Sequence, residues 1–405
     1  MSDVRPLPIS ILRGGTSRGI FFLAKNLPHA RERIEPILRD VFGSPDARQI
    51  NGLAGATPNT SKAAIIGPPS RGDADIDYTF AQVDIKTPLV DWGGNCGNIS
   101  SAVGPFAIDA GLVPAVEGET IVRIHNTNTG KIIVAHVPVR HGRAVRHGDY
   151  AIPGVPGTGA RVDLEFTDPA GSVTGKLLPT GRPDEEMTLA DGRSVRVSLV
   201  DAGNPCVFVL AEDVGARGSE APDEIEANVG LCDTLEEIRA IAAERMGIVP
   251  SRDVALSKSP GLPKVAMIAP PSEYVATTGD AVPADAVDLL VRSMSMQTAH
   301  RSLQVTGAIC IGAAAATDGT LVHRVTRPAT QRRDRDRIRI GNPYGAMDVL
   351  VTAHEADGQV VIDGVRIGRT ARHILDGTVW VSAELLALEE EARGDSELEV
   401  LATLR

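Results

Sequence analysis

The chain has 405 residues, and 41 Lys plus Arg against 52 Asp plus Glu leave a net charge of −11. Aromatic residues make up only 3%, and an acidic chain with so few rings to stack on bases is a poor nucleic-acid binder. Its most conspicuous apolar run, Val305–Ala316, falls short of the ~18 residues a membrane span needs, and no basic segment with a long apolar stretch opens the chain as in a signal peptide.

In chain order, residues 9–13 and 19–24 carry β-branched side chains between Gly and Pro punctuation and are expected strands; residues 28–41 show helical spacing. Residues 63–67, 76–85, 121–124 and 132–139 are further strands, the last so continuously apolar that burial on both faces is expected. Residues 97–110 and 305–316 are small and apolar almost all round. Each reads as a helix that other structure must wrap, stopping near Gly111 or Gly319. Between them, residues 234–246 place Leu235, Ile238, Ile241, Ala242 and Met246 on one helix face. Residues 284–296 are a further helix candidate, with Pro283 suited to its start.

The chain repeats itself. Lys62-Ala-Ala-Ile-Ile-Gly-Pro-Pro-Ser70 matches Lys264-Val-Ala-Met-Ile-Ala-Pro-Pro-Ser272 at six of nine positions, an offset of 202. Ile20 to Ala24 matches Val207 to Ala211 at offset 187, and Ala102 to Gly111 matches Cys310 to Gly319 at offset 208. Three matches in the same order imply a duplication with a period of ~200 residues, too long for a solenoid. The division is expected near residue 190, giving halves 1–190 and 191–405, with the last strand free to cross back to the first half. The fold class is α+β: two similar halves, each a curled, mostly antiparallel sheet around a central buried helix.

The strongest chemical signal is Asp91-Trp-Gly-Gly-Asn-Cys-Gly-Asn-Ile99. It sets Cys96 at the start of an apolar helix, where unpaired N–H groups and the positive dipole end bind carboxylates and favour a thiolate. Lys62 follows a polar turn and heads an apolar strand, a setting that suits a general base. Lys264 occupies the equivalent place in the second half, without the flanking hydroxyls, and reads as structural. The loop Arg13-Gly-Gly-Thr-Ser-Arg-Gly19 lacks Walker A or dinucleotide spacing; it is either an anion-holding turn or a plain hairpin. At offset 208, Gln304 stands opposite Cys96, so the two halves do not present a symmetric pair of thiols. Cys310 reads as an inert core thiol, residues 331–337 as a solvated loop, and His300 as either a carboxylate ligand or a core histidine. Cys96, Cys206, Cys232 and Cys310 lie apart with no Cys/His cluster, which argues against structural zinc or disulfides and for a cytoplasmic location.

Arg13 to Gly19, Gly43 to Ile50, Thr60-Ser-Lys62 and Asn95-Cys-Gly-Asn98 together resemble the PrpF-type isomerases, whose fold is that of diaminopimelate epimerase. Gly104-Pro-Phe-Ala107, Gly154-Val-Pro-Gly157 and Leu178-Pro-Thr-Gly181 fit as well, so the resemblance spans nearly the whole chain. It implies a cofactor-independent isomerase that shifts a double bond in an unsaturated di- or tricarboxylate, as in 2-methylaconitate, 3-methylitaconate or 4-oxalomesaconate. The resemblance carries Lys62 and Cys96 over as catalytic residues. It implies substrate contacts from Arg13, Thr16, Ser17, Arg18, Ser61, Asn95, Gly97, Asn98 and His300, with no metal. Arg18 and Asn51 stand where the family usually has Lys and Asp, and Gly341-Asn-Pro-Tyr-Gly345 where a His-Pro turn is common. A small polycarboxylate is the expected partner, with no nucleic acid or membrane, and a homodimer is one assembly it allows. A two-base epimerase and a non-catalytic carboxylate-binding protein remain as alternatives, the first disfavoured by Gln304.

Overall fold

Hydroxyl- and glycine-rich turns cut the first half into short strands. In the computed structural model, which describes residues 3–356 and 359–386, β1 (Val4–Gly14) and β2 (Ser17–Leu23) form a hairpin. After α1 (Arg31–Phe42), β3 (Lys62–Gly67) lies parallel to β2 and antiparallel to β4 (Ile76–Val83). Helix α2 (Gly97–Asp109) precedes β5 (Gly118–Asn126), β6 (Lys131–Arg140) and β7 (Arg161–Thr167), which run antiparallel to one another in turn.

The second half repeats this order with β8 (Ser194–Ala202), β9 (Asn204–Leu210), α3 (Val229–Arg245), β10 (Lys264–Ala269) and β11 (Leu289–Ser295). Then come α4 (Val305–Ala316), β12 (Arg337–Asn342), β13 (Gly345–Ala356) and β14 (Gln359–Ser382). The equivalence holds at the level of register: Ile20 pairs with Ala63 in parallel β2–β3, and Val207 pairs with Val265 in parallel β9–β10. Those pairs are related by the offsets 187 and 202. Strand β14 belongs to both halves, because it pairs in succession with β13, β7 and β1. Residues 387–405 of the expected second half lie outside the described residues.

The strands of the two halves are joined into one continuous sheet through β14, and each half of it packs around one helix without a polar face. Residues 97–108 of α2 and 305–315 of α4 are buried along their whole length, and one continuous apolar core contains both. The outer faces of β2, β3 and β4 are covered by Ile34, Ile37, Leu38, Val41 and Phe42 of α1. Those of β9 and β10 are covered by Leu235, Ile238, Ile241 and Ala242 of α3. Burying such a side chain contributes ~1.5–3 kcal/mol, so these covers stabilise the strands that carry the site.

Two expectations are corrected. The segment 284–296 is not a helix: after a 3-10 turn at Ala284–Ala286 it becomes strand β11, whose residues are buried on both faces between β10 and β12. A short run apolar on every side suits a central strand as well as a helix, so periodicity alone misleads there. Residues 132–139 are a strand, but Ile133, Ala135, Val137 and Val139 face the core while the alternate residues are half-buried. Among the described residues no helix covers the outer face of that sheet region as α1 covers β2 to β4.

No single helix among the described residues is long and apolar enough to cross a membrane. All four cysteines are free thiols.

Glycines at equivalent points let both helices sit close to the sheet. A Cβ on Gly104 would come within 2.9 Å of Val137 and 3.1 Å of Ala135. One on Gly312 would meet Val351, Val349 and Val365 at 3.1, 3.2 and 3.3 Å. Gly312→Val therefore overpacks the second helix and should cost about 1–3 kcal/mol. In urea unfolding, the midpoint should fall at unchanged slope.

Candidate active site

The two apolar helices start at one place. Gly97, the first residue of α2, lies so close to Val305, the first residue of α4, that a Cβ on it would be 2.5 Å from Val305 Cγ1. The residues preceding them, Cys96 and Gln304, are the N-caps, and neither side chain caps its own helix. Both line a cleft with about 600 Å³ of atom-free space, partly open to solvent. By helix geometry, the first N–H groups of both helices have no intrahelical acceptor. Two positive dipole ends thus meet at one cavity.

A single side chain ties this junction together. Asn204, at the start of β9, accepts from the Asn95 N–H at 3.1 Å and donates to the Asn95 carbonyl at 2.9 Å and to Thr306 Oγ1 at 3.1 Å. It links the turn before α2 to the first turn of α4. Its neighbour Gly203 adopts a φ of 70°, the left-handed region that suits glycine, and approaches Ile309 of α4.

Lys62 enters the cleft because it is the first residue of β3, and it is 9% exposed. The antiparallel register sets Gln82 of β4 opposite it, and Lys62 Nζ donates to Gln82 Oε1 at 2.6 Å. The Gln82 amide donates in turn to Ser61 O at 2.9 Å and Pro58 O at 3.1 Å, so its carbonyl end is held toward the lysine. The Lys62 amine also lies 5.4 Å from the Phe80 ring centroid. These groups form a seat for an ammonium made of a neutral carbonyl and a π-face, with no carboxylate in it.

His300 is buried in the same cavity. Burial pushes its pKa down to about 3, and the Lys62 and Lys264 amines act in the same direction. The Ser302 N–H donates to His300 Nδ1 at 3.1 Å, which leaves the proton of the neutral ring on Nε2.

The remaining expected residues divide into two groups. Ser17, Asn95, Gly97 and Asn98 line the cavity with Lys62, Cys96 and His300. Arg13, Thr16, Arg18 and Ser61 surround it without lining it. The Arg13 guanidinium donates to the carbonyls of Gly15 and Thr370, both at 2.9 Å. The Thr16 N–H donates to Asn98 Oδ1 at 3.2 Å, Arg18 reaches toward Gly55 and Thr60, and Ser61 Oγ donates to Gln49 and Thr57. The glycine-rich loop braces α2: a Cβ on Gly14 would lie 2.3 Å from Asn98 O.

Sequence reasoning missed Gln82, Phe80 and Asn204, which no local motif marks, and it assigned Lys264 to structure although Lys264 lines the cavity. The shared lysine of the internal repeat was the signal available for the last.

Two like halves built around apolar helices, with a cleft at the paired helix starts, give the racemase- and epimerase-like fold. A hydroxyproline epimerase from Agrobacterium vitis shares the fold, with a TM-score of 0.54 at 14% identity over 94% of each chain. More particularly, the chain belongs to the PrpF protein family, whose model matches residues 4–382. It is 47% identical over 382 residues to the 3-methylitaconate isomerase of Eubacterium barkeri, covering 94% of this chain and 98% of that one. It is 39% identical over 391 residues to the 2-methyl-aconitate isomerase of Cupriavidus necator, covering 93% and 98%. A crystal structure of methylitaconate-delta-isomerase superposes with a TM-score of 0.77 at 46% identity, covering 95% of this chain and 98% of that one. The protein is an isomerase.

His300 supplies a stability test. Its folded pKa of about 3 lies below the unfolded value near 6.5, so the unfolded state binds more protons between those limits. The neutral ring's contribution is complete above pH 6.5 and is lost as pH falls toward 3. His300→Gln should flatten the loss of stability between pH 6.5 and pH 4 by about 3 kcal/mol, measured by denaturant unfolding at each pH.

Proposed function

We propose that the protein moves a carbon–carbon double bond within an unsaturated di- or tricarboxylate of the 2-methylaconitate or 3-methylitaconate kind, in the cytoplasm and without a cofactor. The observation that carries this reading is Lys62, a buried amine seated on Gln82 Oε1 at 2.6 Å beside Cys96 and two helix N-termini. The four free thiols and the relatives' activities support the location and the substrate class.

Lys62 Nζ takes a proton from the carbon allylic to the double bond. The electron pair left on that carbon shifts the double bond by one position and spreads into the conjugated carboxylate. The ammonium that forms meets the Gln82 carbonyl and the Phe80 face, while the developing anion gains from that cation and from the helix N–H groups. Cys96 Sγ gives a proton to the far carbon of the allylic system. Proton exchange with solvent returns the thiolate to thiol and the ammonium to amine.

Gln304 replaces a second thiol at the α4 start, so the site lacks the symmetric pair that would deprotonate and reprotonate one stereocentre from two faces. That favours a double-bond shift over epimerisation.

Assayed on 2-methylaconitate, 3-methylitaconate and 4-oxalomesaconate, the native chain should isomerise at least one. Lys62→Met should lower kcat by ~10³-fold or more, since a positioned base and its charge are lost together. Full activity in Lys62→Met would exclude this assignment of the base.

A further inference from the structure

We infer that Lys264 is the cation of the second half that binds a substrate carboxylate while Lys62 acts as the base. The inference rests on the polycarboxylate reading above and adds a residue to it. Lys264 heads β10 as Lys62 heads β3, and the internal repeat relates the two strands. Both side chains line one cavity.

Their surroundings differ. Lys62 is held at 2.6 Å by Gln82, whereas Lys264 Nζ reaches only the Gly261 carbonyl at 3.4 Å, the weak end of hydrogen bonding. The hydrogen-bond acceptors of both amines are neutral carbonyls, Gln82 Oε1 and Gly261 O. The ionisable groups facing Lys264 are Cys206, Lys62, Cys96 and Asp91. Burial holds its pKa below the ordinary lysine range, the Lys62 charge adds to that, and Cys206, Cys96 and Asp91 oppose it. An ammonium with unspent donors in such a place gains most from an incoming anion.

Elimination leads to the same residue. The charged or basic side chains lining the cavity are Lys62, Asp91, Lys264 and His300. His300 is neutral, Asp91 repels an anion, and Lys62 is the group assigned to proton removal. Arg13 and Arg18 do not line the cavity. Lys264 is the remaining amine of the cavity, and an incoming carboxylate opposes the effect of burial and holds it as an ammonium.

Saturated acids test binding apart from proton transfer. Titration calorimetry with tricarballylate, glutarate and butyrate should give affinities that rise with carboxylate number in the native chain. Lys264→Met should weaken tricarballylate and glutarate by roughly 30- to 100-fold and butyrate by less than about threefold, and Lys264→Arg should recover most of the loss. Uniform weakening of all three acids, or no weakening, in a Lys264→Met protein with an unchanged melting temperature would overturn the inference. Should the charge-dependent loss appear while no unsaturated acid is isomerised, Lys264 keeps its role and the isomerase reading fails. A native chain that binds none of the three acids overturns both.

Discussion

The structure depends on how closely two helices begin. Gly97 and Val305 touch where any larger side chain at position 97 would collide, and Asn204 clips the two starts together with three hydrogen bonds. Helix N-termini carry unpaired N–H groups and partial positive charge, so placing two of them side by side is unfavourable unless an anion joins them. The fold accepts that arrangement because each helix is locked into its own half of the sheet by apolar packing on every side. Binding energy for a polyanion is therefore stored in the architecture before any charged side chain is counted. On the proposed function an acidic chain can act on an acidic substrate, since attraction is local to the cleft and does not need a basic surface.

Duplication made the cleft nearly symmetric, and divergence gave its two sides different work. The lysines at the heads of β3 and β10 are retained, but their partners differ: Gln82 seats one, while the other has a single long contact to Gly261. At the helix starts, Cys96 faces Gln304, a thiol against an amide that neither takes up nor gives a proton under ordinary conditions. On the proposed function, one half carries the proton-transfer groups Lys62 and Cys96, and the other carries Lys264 and a neutral histidine. A racemase needs equivalent acids on two faces of one carbon. An allylic shift needs a base and an acid at two carbons, with charge stabilisation between, and the asymmetry fits that demand.

Much of the architecture was legible in the residues. The repeat between Lys62 and Lys264 announced two halves, and α4 was readable to the residue because the 12-residue run of small apolar side chains from Val305 to Ala316 is longer than an ordinary buried strand. Segment 284–296 was misread because a strand buried on both faces and a buried helix share one composition. Cys96 and Lys62 stood out through local motif and position. Gln82 and Asn204 did not, since their roles come from strand register and from an approach between segments about a hundred residues apart. The contacts of the glycine-rich loop, Arg13 to the Thr370 carbonyl and the Thr16 N–H to Asn98, join segments far apart in the chain and carry no local motif. Polar satisfaction is a three-dimensional property: Nη1 of Arg13 donates to two carbonyls, one of them on Thr370 at the far end of the chain.

The central claim is that a buried lysine removes a proton at one carbon and a separate thiol delivers another elsewhere. Isomerisation in deuterium oxide, followed by proton NMR of the product at early conversion, tests it directly. The account predicts one solvent-derived deuteron at the newly protonated carbon in every turnover, and its disappearance together with turnover in Lys62→Met. Product free of deuterium at an undiminished rate would show the same proton carried from carbon to carbon and would contradict the two-group relay.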